Sequence, residues 1–252
     1  FEKNFNQTAA RKWMAENWHD SFIVSAVYLI VVFGIQHFMK ERRAYHLRTP
    51  LTLWSFSLTV FSVFAAWRIW KQMVFLLLTK GFKKTMCSQS FYIHPVSKLW
   101  IYLFALSKFA ELGDTVFIVL RKKKLIFVHW YHHLAAFVLS WYSYGRTVPG
   151  FAWVAACNFS VHGLTYFYYT VTAMGIRIPT PLAMILTTSQ MVQMTGFVVV
   201  NIFFLLWKDD KSCNFMWPAF FLTSWVYVTL LILFCDFFAK TYLRGTRKSK
   251  GE

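Results

Sequence analysis

The stretch LIFVHWYHHLAAFVLSWYSYG, residues 125–145, decides how this chain folds. It is long enough to cross a bilayer, which takes ~20 helical residues, yet it carries His129, His132 and His133 near its start. Positions i, i+3 and i+4 share one helix face, so the three imidazoles project together at membrane depth. Ionisable groups there are costly and usually line a functional cavity instead of facing lipid. A polar seam between packed helices is the plain reading; a catalytic or metal-binding box is the sharper one.

Similar apolar stretches lie on either side. Segments 21–39, 51–78, 96–120, 125–145, 150–174, 180–207 and 217–240 recur along the chain, each of spanning length. With 57% hydrophobic and 21% aromatic residues, the composition excludes an ordinary soluble domain. The fold class is therefore all-α and multi-pass, with seven transmembrane helices, the second and sixth long enough to expect a tilt or kink. One integral-membrane domain is expected over 1–252, with an N-terminal segment 1–20 and a basic tail 241–252.

Orientation follows the Lys/Arg bias of the short loops. Lys40, Arg42, Arg43 and Arg48 in the first loop, Arg121 to Lys124 in the third, and Lys240, Arg244, Arg247, Lys248 and Lys250 at the end share one side of a seven-helix chain. Lys80, Lys83 and Lys84, with Lys3, Arg11 and Lys12, pull the other way. The larger group places the tail in the cytosol and the N-terminus in the lumen. There Asn6-Gln7-Thr8 is a glycosylation sequon that nearness to the membrane can leave unmodified. The ending Lys248-Ser249-Lys250-Gly251-Glu252 resembles a dilysine retrieval signal of the endoplasmic reticulum; an ordinary basic juxtamembrane tail is the alternative. No cleaved signal peptide is legible before the first span. The chain opens on Phe1, so further residues are expected upstream. This topology puts Cys87 and Cys213 together on the lumenal side, an oxidising compartment, and predicts a disulfide between them. Cys157 and Cys235 fall within spans as packing residues.

The net charge of +17 sits in membrane loops with no soluble reader module, which argues against nucleic acid. Part of it is topogenic; the rest suits an anionic ligand at the cytosolic mouth, such as a nucleotide-bearing acyl thioester.

Four spans in succession carry polar stripes. Lys108, Glu111, Asp114 and Thr115 lie near one face of the third, where Asp114 is placed to orient a histidine. The histidine box opens the fourth. Asn158 and His162 follow in the fifth with Tyr166, Tyr168 and Tyr169, and Thr187, Gln190 and Gln193 in the sixth. A single polar residue of this kind is usually interhelical glue; four coordinated stripes point to helices around one wet or ligand-filled interior. The chain holds eight histidines and a single cluster, too few for a membrane di-iron oxygenase. A zinc site on His129, His132 and His133 with Asp114 or His162 stays open at this level. A seven-helix receptor leaves the clustered histidines unexplained, and a transporter would show inverted repeats that are not evident.

Taken in order, Lys108-x-x-Glu111-x-x-Asp114-Thr115, His129-x-x-His132-His133, Asn158-x-x-Val161-His162 and Thr187-x-x-Gln190-x-x-Gln193 resemble the successive signatures of the very-long-chain fatty acid elongases. The Trp130-Tyr131 filling of the box and the opening Phe1-Glu2-Lys3 resemble the branch that extends saturated and monounsaturated acyl chains of about sixteen carbons or fewer. The resemblance covers nearly the whole chain. It implies a barrel of spans two to seven around an acyl tunnel closed at the lumenal end. It also implies condensation of acyl-CoA with malonyl-CoA to 3-ketoacyl-CoA, CO2 and CoA in the endoplasmic reticulum membrane.

For that reaction no cysteine lies in the polar motifs, so a neutral imidazole is the expected nucleophile, giving an acyl-imidazole. His132, mid-box, is expected to attack, with His129 and His133 orienting it or stabilising the developing oxyanion. Asn158 and His162 are expected to bind the malonyl thioester and assist decarboxylation. Lys108, Glu111, Asp114 and Thr115 are expected to support the box, and Tyr166, Tyr169, Gln190 and Gln193 to line the chamber. Arg43, Arg121, Lys122, Lys124, Lys240 and Arg244 are candidates for the CoA phosphates. No metal or other cofactor is expected. With no NAD(P)-binding Gly-rich loop, the ketoacyl reductase, dehydratase and enoyl reductase that complete a cycle must be separate partners; a homodimer is possible.

Overall fold

The computed structural model describes residues 2–243, whose regular structure is helical with no strand among them. Phe1, Arg244 and the basic ending with its dilysine-like Lys248 and Lys250 lie outside the described residues. The helices in chain order are α1 (Gln7–Glu16), α2 (Asp20–Phe38), α3 (Arg48–Lys80), α4 (Phe82–Cys87), α5 (Ser90–Ile93), α6 (Ser97–Glu111), α7 (Gly113–Leu120), α8 (Phe127–Arg146), α9 (Phe151–Ala173), α10 (Thr180–Leu206) and α11 (Trp217–Phe238). By length and composition, α2, α3, α10 and the segment Trp217–Leu243 are able to cross a membrane. The expected third, fourth and fifth spans coincide with α6 and α7, α8 and α9, whose polar faces dilute their apolar character.

The long helices α3 and α10, expected to tilt or kink, each run as one continuous helix. At 33 residues α3 is about 50 Å long against a ~30 Å hydrocarbon core, which demands tilt or protrusion. The 96–120 segment, expected as one helix, divides at Leu112. Gly113 sits there under the Trp54 ring, where a Cβ would stand 3.1 Å from Trp54 Cζ2. The tightened turn re-aims Asp114 relative to Lys108 and Glu111.

The principal seam joins α3 to α9. On α3 the buried residues Ser55, Thr59, Ser62, Ala65, Ala66 and Ile69 recur at helical spacing; α9 answers with Ala155, Ala156, Phe159 and Gly163. Small residues let the backbones approach closely where no hydrophobic effect drives helices together in lipid. Trp70 Nε1 donates to Ser160 Oγ across this seam at 2.9 Å. Further packing pairs α9 with α10, α10 with α11, α11 with α8, α8 with α6 and α6 with α3, while α2 lies outside against α7 and α8.

The two ends differ. At one, a disulfide joins Cys87 to Cys213, as the sequence predicts. Beside it Lys83 pairs with Asp210 at 2.5 Å. That ammonium, with the Ser212 hydrogen bond, holds the Asp210 carboxyl well below the usual carboxylate range. The pair therefore contributes above the ordinary carboxylate pKa and is lost only in strong acid.

The N-terminal segment is tied to this same end. Trp141 Nε1 donates to the Met14 carbonyl at 3.0 Å, and Lys98 Nζ donates to the carbonyls of Lys3 and Phe5. Glu2 accepts from Arg68 and from Trp100 Nε1. Burial opposes its ionisation, but those hydrogen bonds outweigh burial and keep its carboxyl below the usual range. The histidine box lies at the opposite end.

The disulfide closes a chain separation of 126 residues, so its loss should cost about 3–5 kcal/mol through the unfolded state. Cys87→Ser with Cys213→Ser should lower the unfolding midpoint in detergent, followed by fluorescence or size exclusion. An unchanged midpoint would show that the bond adds no stability.

Candidate functional site

The box begins one turn into α8, which starts at Phe127 after an extended Ile126. The His129 and His133 rings lie 4.5 Å apart between centroids, tilted by 49°. His132 lies 5.3 Å from His133 and 6.2 Å from His162 of α9. Phe234 of α11 closes on His132 at 5.9 Å. The four imidazoles thus come from two facing helices, with an aromatic wall behind them. Among the described residues, no group of three or more His, Cys, Asp or Glu is arranged to hold a metal ion.

Behind the rings lies a charged network. Lys108 and Glu111 are 2% and 3% exposed, so each charge must find its partner inside the protein. Lys108 Nζ donates to Glu111 Oε1 at 2.7 Å, to Oε2 at 2.9 Å and to Asn158 Oδ1 at 2.6 Å. With its carbonyl oxygen occupied by an ammonium, Asn158 is left its NH2 to offer as a donor. Glu111 Oε2 stands 3.4 Å from His162 Nδ1, close but not aligned for a hydrogen bond.

Asp114 anchors a second group. Its Oδ1 accepts from Trp54 Nε1 at 2.6 Å, and its Oδ2 accepts from the Tyr166 hydroxyl at 2.6 Å. His133 Nε2 is 4.0 Å from the same Oδ2, a distance for electrostatic orientation and not a direct hydrogen bond. Thr115 goes elsewhere: fully buried, it shares a 2.7 Å hydrogen bond with Tyr28 of α2 and is not among the chamber's lining residues.

These groups wall a chamber of about 230 Å³ lined by Asp114, the three box histidines, Asn158, His162, Tyr166, Tyr168, Tyr169, Thr187, Gln190 and Gln193. Buried polar atoms are normally paired. Here His129 Nε2, His162 Nδ1 and Gln193 Nε2 have no hydrogen-bond partner among the described residues, and all three residues line this chamber. Gln190 Nε2 reaches Thr165 Oγ1 at 3.5 Å.

Two smaller cavities continue the chamber toward the disulfide end. The next, about 40 Å³, shares His132, Asn158 and Met194 with the chamber and is otherwise mostly apolar. The last, about 30 Å³, shares Phe151, Val154, Phe197 and Tyr227 with the second and ends among Phe204, Phe215 and Phe220. His132 and Asn158 therefore stand where a polar chamber meets an apolar passage.

Among the described residues, the basic candidates are not in the chamber wall. Arg121 and Lys124 lie on the connection leading to Ile126, and Arg43 on the connection between α2 and α3. Lys122 Nζ donates to the carbonyls of Lys40 and Arg42. Lys240 pairs with Asp236 at 2.7 Å, near Tyr242, which does line the chamber.

Sequence reading missed Trp54, one of twelve tryptophans in an apolar chain with no periodic signal to single it out. It also missed Phe234 and Phe237 of α11, which carries no polar stripe that would place it at the chamber, and Tyr242 just beyond the end of that helix.

Comparison with known proteins finds the profile of the GNS1/SUR4 (ELO) family over residues 13–250. The chain is 47% identical over 249 residues to very long chain fatty acid elongase 6 of Homo sapiens, covering 99% of this chain and 94% of that protein. It is 40% identical over 240 residues to very long chain fatty acid elongase 3 of Homo sapiens, covering 95% and 89%. A third relative, very long chain fatty acid elongase 6 of Drosophila melanogaster, is 38% identical over 255 residues, covering 99% and 81%.

Trp54→Phe removes one of the two hydrogen bonds to a buried carboxylate, a change worth ~1–3 kcal/mol. Turnover should fall about tenfold or more. Trp70→Phe, which breaks the Trp70–Ser160 bond away from Asp114, should cost stability and leave turnover near normal. Equal losses of turnover in both variants would make the Trp54 bond a purely structural one.

Proposed function

The chain belongs to the very-long-chain fatty acid elongase family, and from that premise we propose that it condenses an acyl-CoA with malonyl-CoA, releasing CO2 and CoA and leaving 3-ketoacyl-CoA. The observation that carries the reading is the position of His132, which borders both the polar chamber and the apolar passage. An acyl chain in the passage brings its thioester carbon to that imidazole.

In the first half-reaction a nitrogen of neutral His132 attacks the thioester carbonyl. The C–N bond forms, the C–S bond breaks, and CoA leaves as a thiolate that takes up a proton. The developing oxyanion needs a donor, which His129 or His133 supplies. In the second half-reaction the malonyl C–C bond to its carboxylate breaks, CO2 leaves, and the electron pair rests on the thioester enolate. Asn158, through the NH2 that Lys108 leaves available, and His162 stabilise that enolate oxygen. The enolate carbon then attacks the acyl-imidazole carbonyl; the new C–C bond forms, the C–N bond breaks, and the departing imidazole takes up a proton from water to restore neutral His132. Asp114 and Tyr166 hold His133 in place, Glu111 supports Lys108 and His162, and Tyr169, Gln190 and Gln193 shape the chamber. Thr115 supports the site from behind through α2. The proposed steps use no metal or other cofactor.

The architecture proposed is one domain over 1–252 with seven spans. The packing circuit α3–α9–α10–α11–α8–α6–α3 supports a barrel formed by spans two to seven around the passage, with α2 outside. The disulfide supports placing its end, with the N-terminus, in the oxidising lumen of the endoplasmic reticulum. The histidine end and tail then face the cytosol, where CoA would meet Arg43, Arg121, Lys124, Lys240 and Arg244, with Lys122 bracing the connection beside them. The preferred acyl chain is saturated or monounsaturated and of about sixteen carbons. The ketoacyl reductase, dehydratase and enoyl reductase of the cycle act as separate partners, and a homodimer is the proposed assembly.

Two results test this. Incubated with palmitoyl-CoA alone, the protein should release CoA and gain an acyl mass on the 127–146 peptide; His132→Ala should abolish both. Its turnover should fall about a thousandfold or more, the scale of losing a covalent nucleophile, with chelator making no difference to the wild type. Near-normal turnover by His132→Ala would overturn the assignment.

The second concerns the passage. Ala219 lines its far end, and Ala219→Phe should shorten the longest accepted acyl chain. Each methylene excluded from the passage forfeits ~0.8 kcal/mol of burial. Mass spectrometry of products across an acyl-CoA series reads the cutoff; an unmoved cutoff would place the chain elsewhere.

A further inference from the structure

Between the C-terminal ends of α2 and α7 lies a groove of about 520 Å³ lined by Phe33, Gln36, His37, Met39, Lys40, Val119, Lys122 and Lys123. It shares no residue with the chamber. Its walls are tied together. Lys122 adopts a left-handed backbone (φ 52°), uncommon for a residue with a side chain. Its Nζ donates to the carbonyls of Lys40 at 2.9 Å and Arg42 at 3.0 Å. The Tyr45 N–H also donates to the Leu120 carbonyl at 3.1 Å.

An ammonium has three N–H groups, so Lys122 keeps one for a ligand. Lys40 and Lys123 form no side-chain hydrogen bond or ion pair among the described residues, and neither does Glu41, the acid adjacent in sequence. Arg42 is turned aside, its guanidinium 3.9 Å over the Phe38 ring. The groove lining thus presents three ammonium groups and no carboxylate. Toward the membrane it continues into the exposed ring of Phe33 on a helix able to span a bilayer. A basic pocket at the end of a spanning helix, with an apolar strip leading into the hydrocarbon, complements a ligand anionic at one end and aliphatic at the other.

We propose that this groove binds one anionic membrane phospholipid, its phosphate held by Lys40, Lys122 and Lys123 and an acyl chain laid along Phe33. The site would seat α2, which packs outside the other helices against α7 and α8 alone among the spanning segments. It is separate from the CoA phosphates, which belong to the mouth of the chamber.

Native mass spectrometry of the full chain in detergent, titrated with phosphatidylserine and with phosphatidylcholine, tests the proposal. The wild type should retain one phosphatidylserine in preference to phosphatidylcholine. Lys40→Gln with Lys123→Gln should weaken retention about 25-fold, from two lysines near the membrane surface. Arg43→Gln with Lys124→Gln makes the same charge change at the same end outside the groove and should retain the lipid. Glycerophosphoserine, which lacks the acyl chains, and CoA should not displace it. Equal weakening by both double variants would reduce the effect to general surface charge. Displacement by CoA would make the groove part of the CoA site, and displacement by glycerophosphoserine would make it a phosphate site without a lipid. Equal retention of phosphatidylcholine would remove the role of the lysines. Any of these overturns the proposal.

Discussion

Lys108 inside the helix assembly is the constraint from which the site follows. An ammonium with almost no exposure, among apolar helices, persists only if its charge and all of its N–H groups are met by the protein. Glu111, one turn along the same helix, meets the charge; Asn158, from α9, meets the remaining hydrogen bond. The pairing therefore joins α6 to α9 and at the same time settles which end of the Asn158 amide faces the chamber. Removing one member of such a pair leaves the other stranded, at a cost of ~3–5 kcal/mol. Interhelical polar contacts of this kind also choose a register, since a slip of one residue would separate the partners.

The Asp114 group repeats the device on the other side of the box. Trp54 and Tyr166, from α3 and α9, each occupy one carboxylate oxygen, so three helices converge on a single side chain. The approach depends on Gly113, because a side chain there would press into the Trp54 ring. The close α3–α9 seam serves the same end: its Ser, Thr, Ala and Gly residues bring Trp54 and Tyr166 within reach of one acid. Packing and chemistry are linked here through distance, since small residues at the seam permit polar contacts that longer side chains would hold apart.

The gradient of polarity along the interior is the other organising feature. It runs from a chamber rich in imidazole, amide and phenol groups, past His132 and Asn158, into a passage bordered chiefly by Phe, Val, Met and Leu side chains. A substrate with a polar head and an aliphatic tail is oriented by such a gradient without any specific contact to the tail. The disulfide ties α4 to the connection between α10 and α11 at the far end of the passage, while the chamber end is bordered by loops rich in lysine and arginine.

Helical class, segment positions and the polar stripes were all legible in the chain itself. Lipid-compatible stretches and i, i+3, i+4 spacing are local properties, set by the rise and turn of a helix. The pairing of Cys87 with Cys213 was legible as well, because loop parity alone puts them on one side. What no local pattern carried was the partner of each polar group. Trp54 has no periodic mark, yet it holds Asp114; Thr115 belongs to the same motif as Asp114, yet turns to Tyr28. The division of 96–120 at Leu112 lies beside a ring from another helix, and the chamber wall of α11 is made by side chains with no polar signature. Which residues share a helix face is determined within the sequence, whereas which faces meet is decided by packing between segments far apart in the chain. Only the tertiary structure could place His132 at the boundary between the polar chamber and the apolar passage.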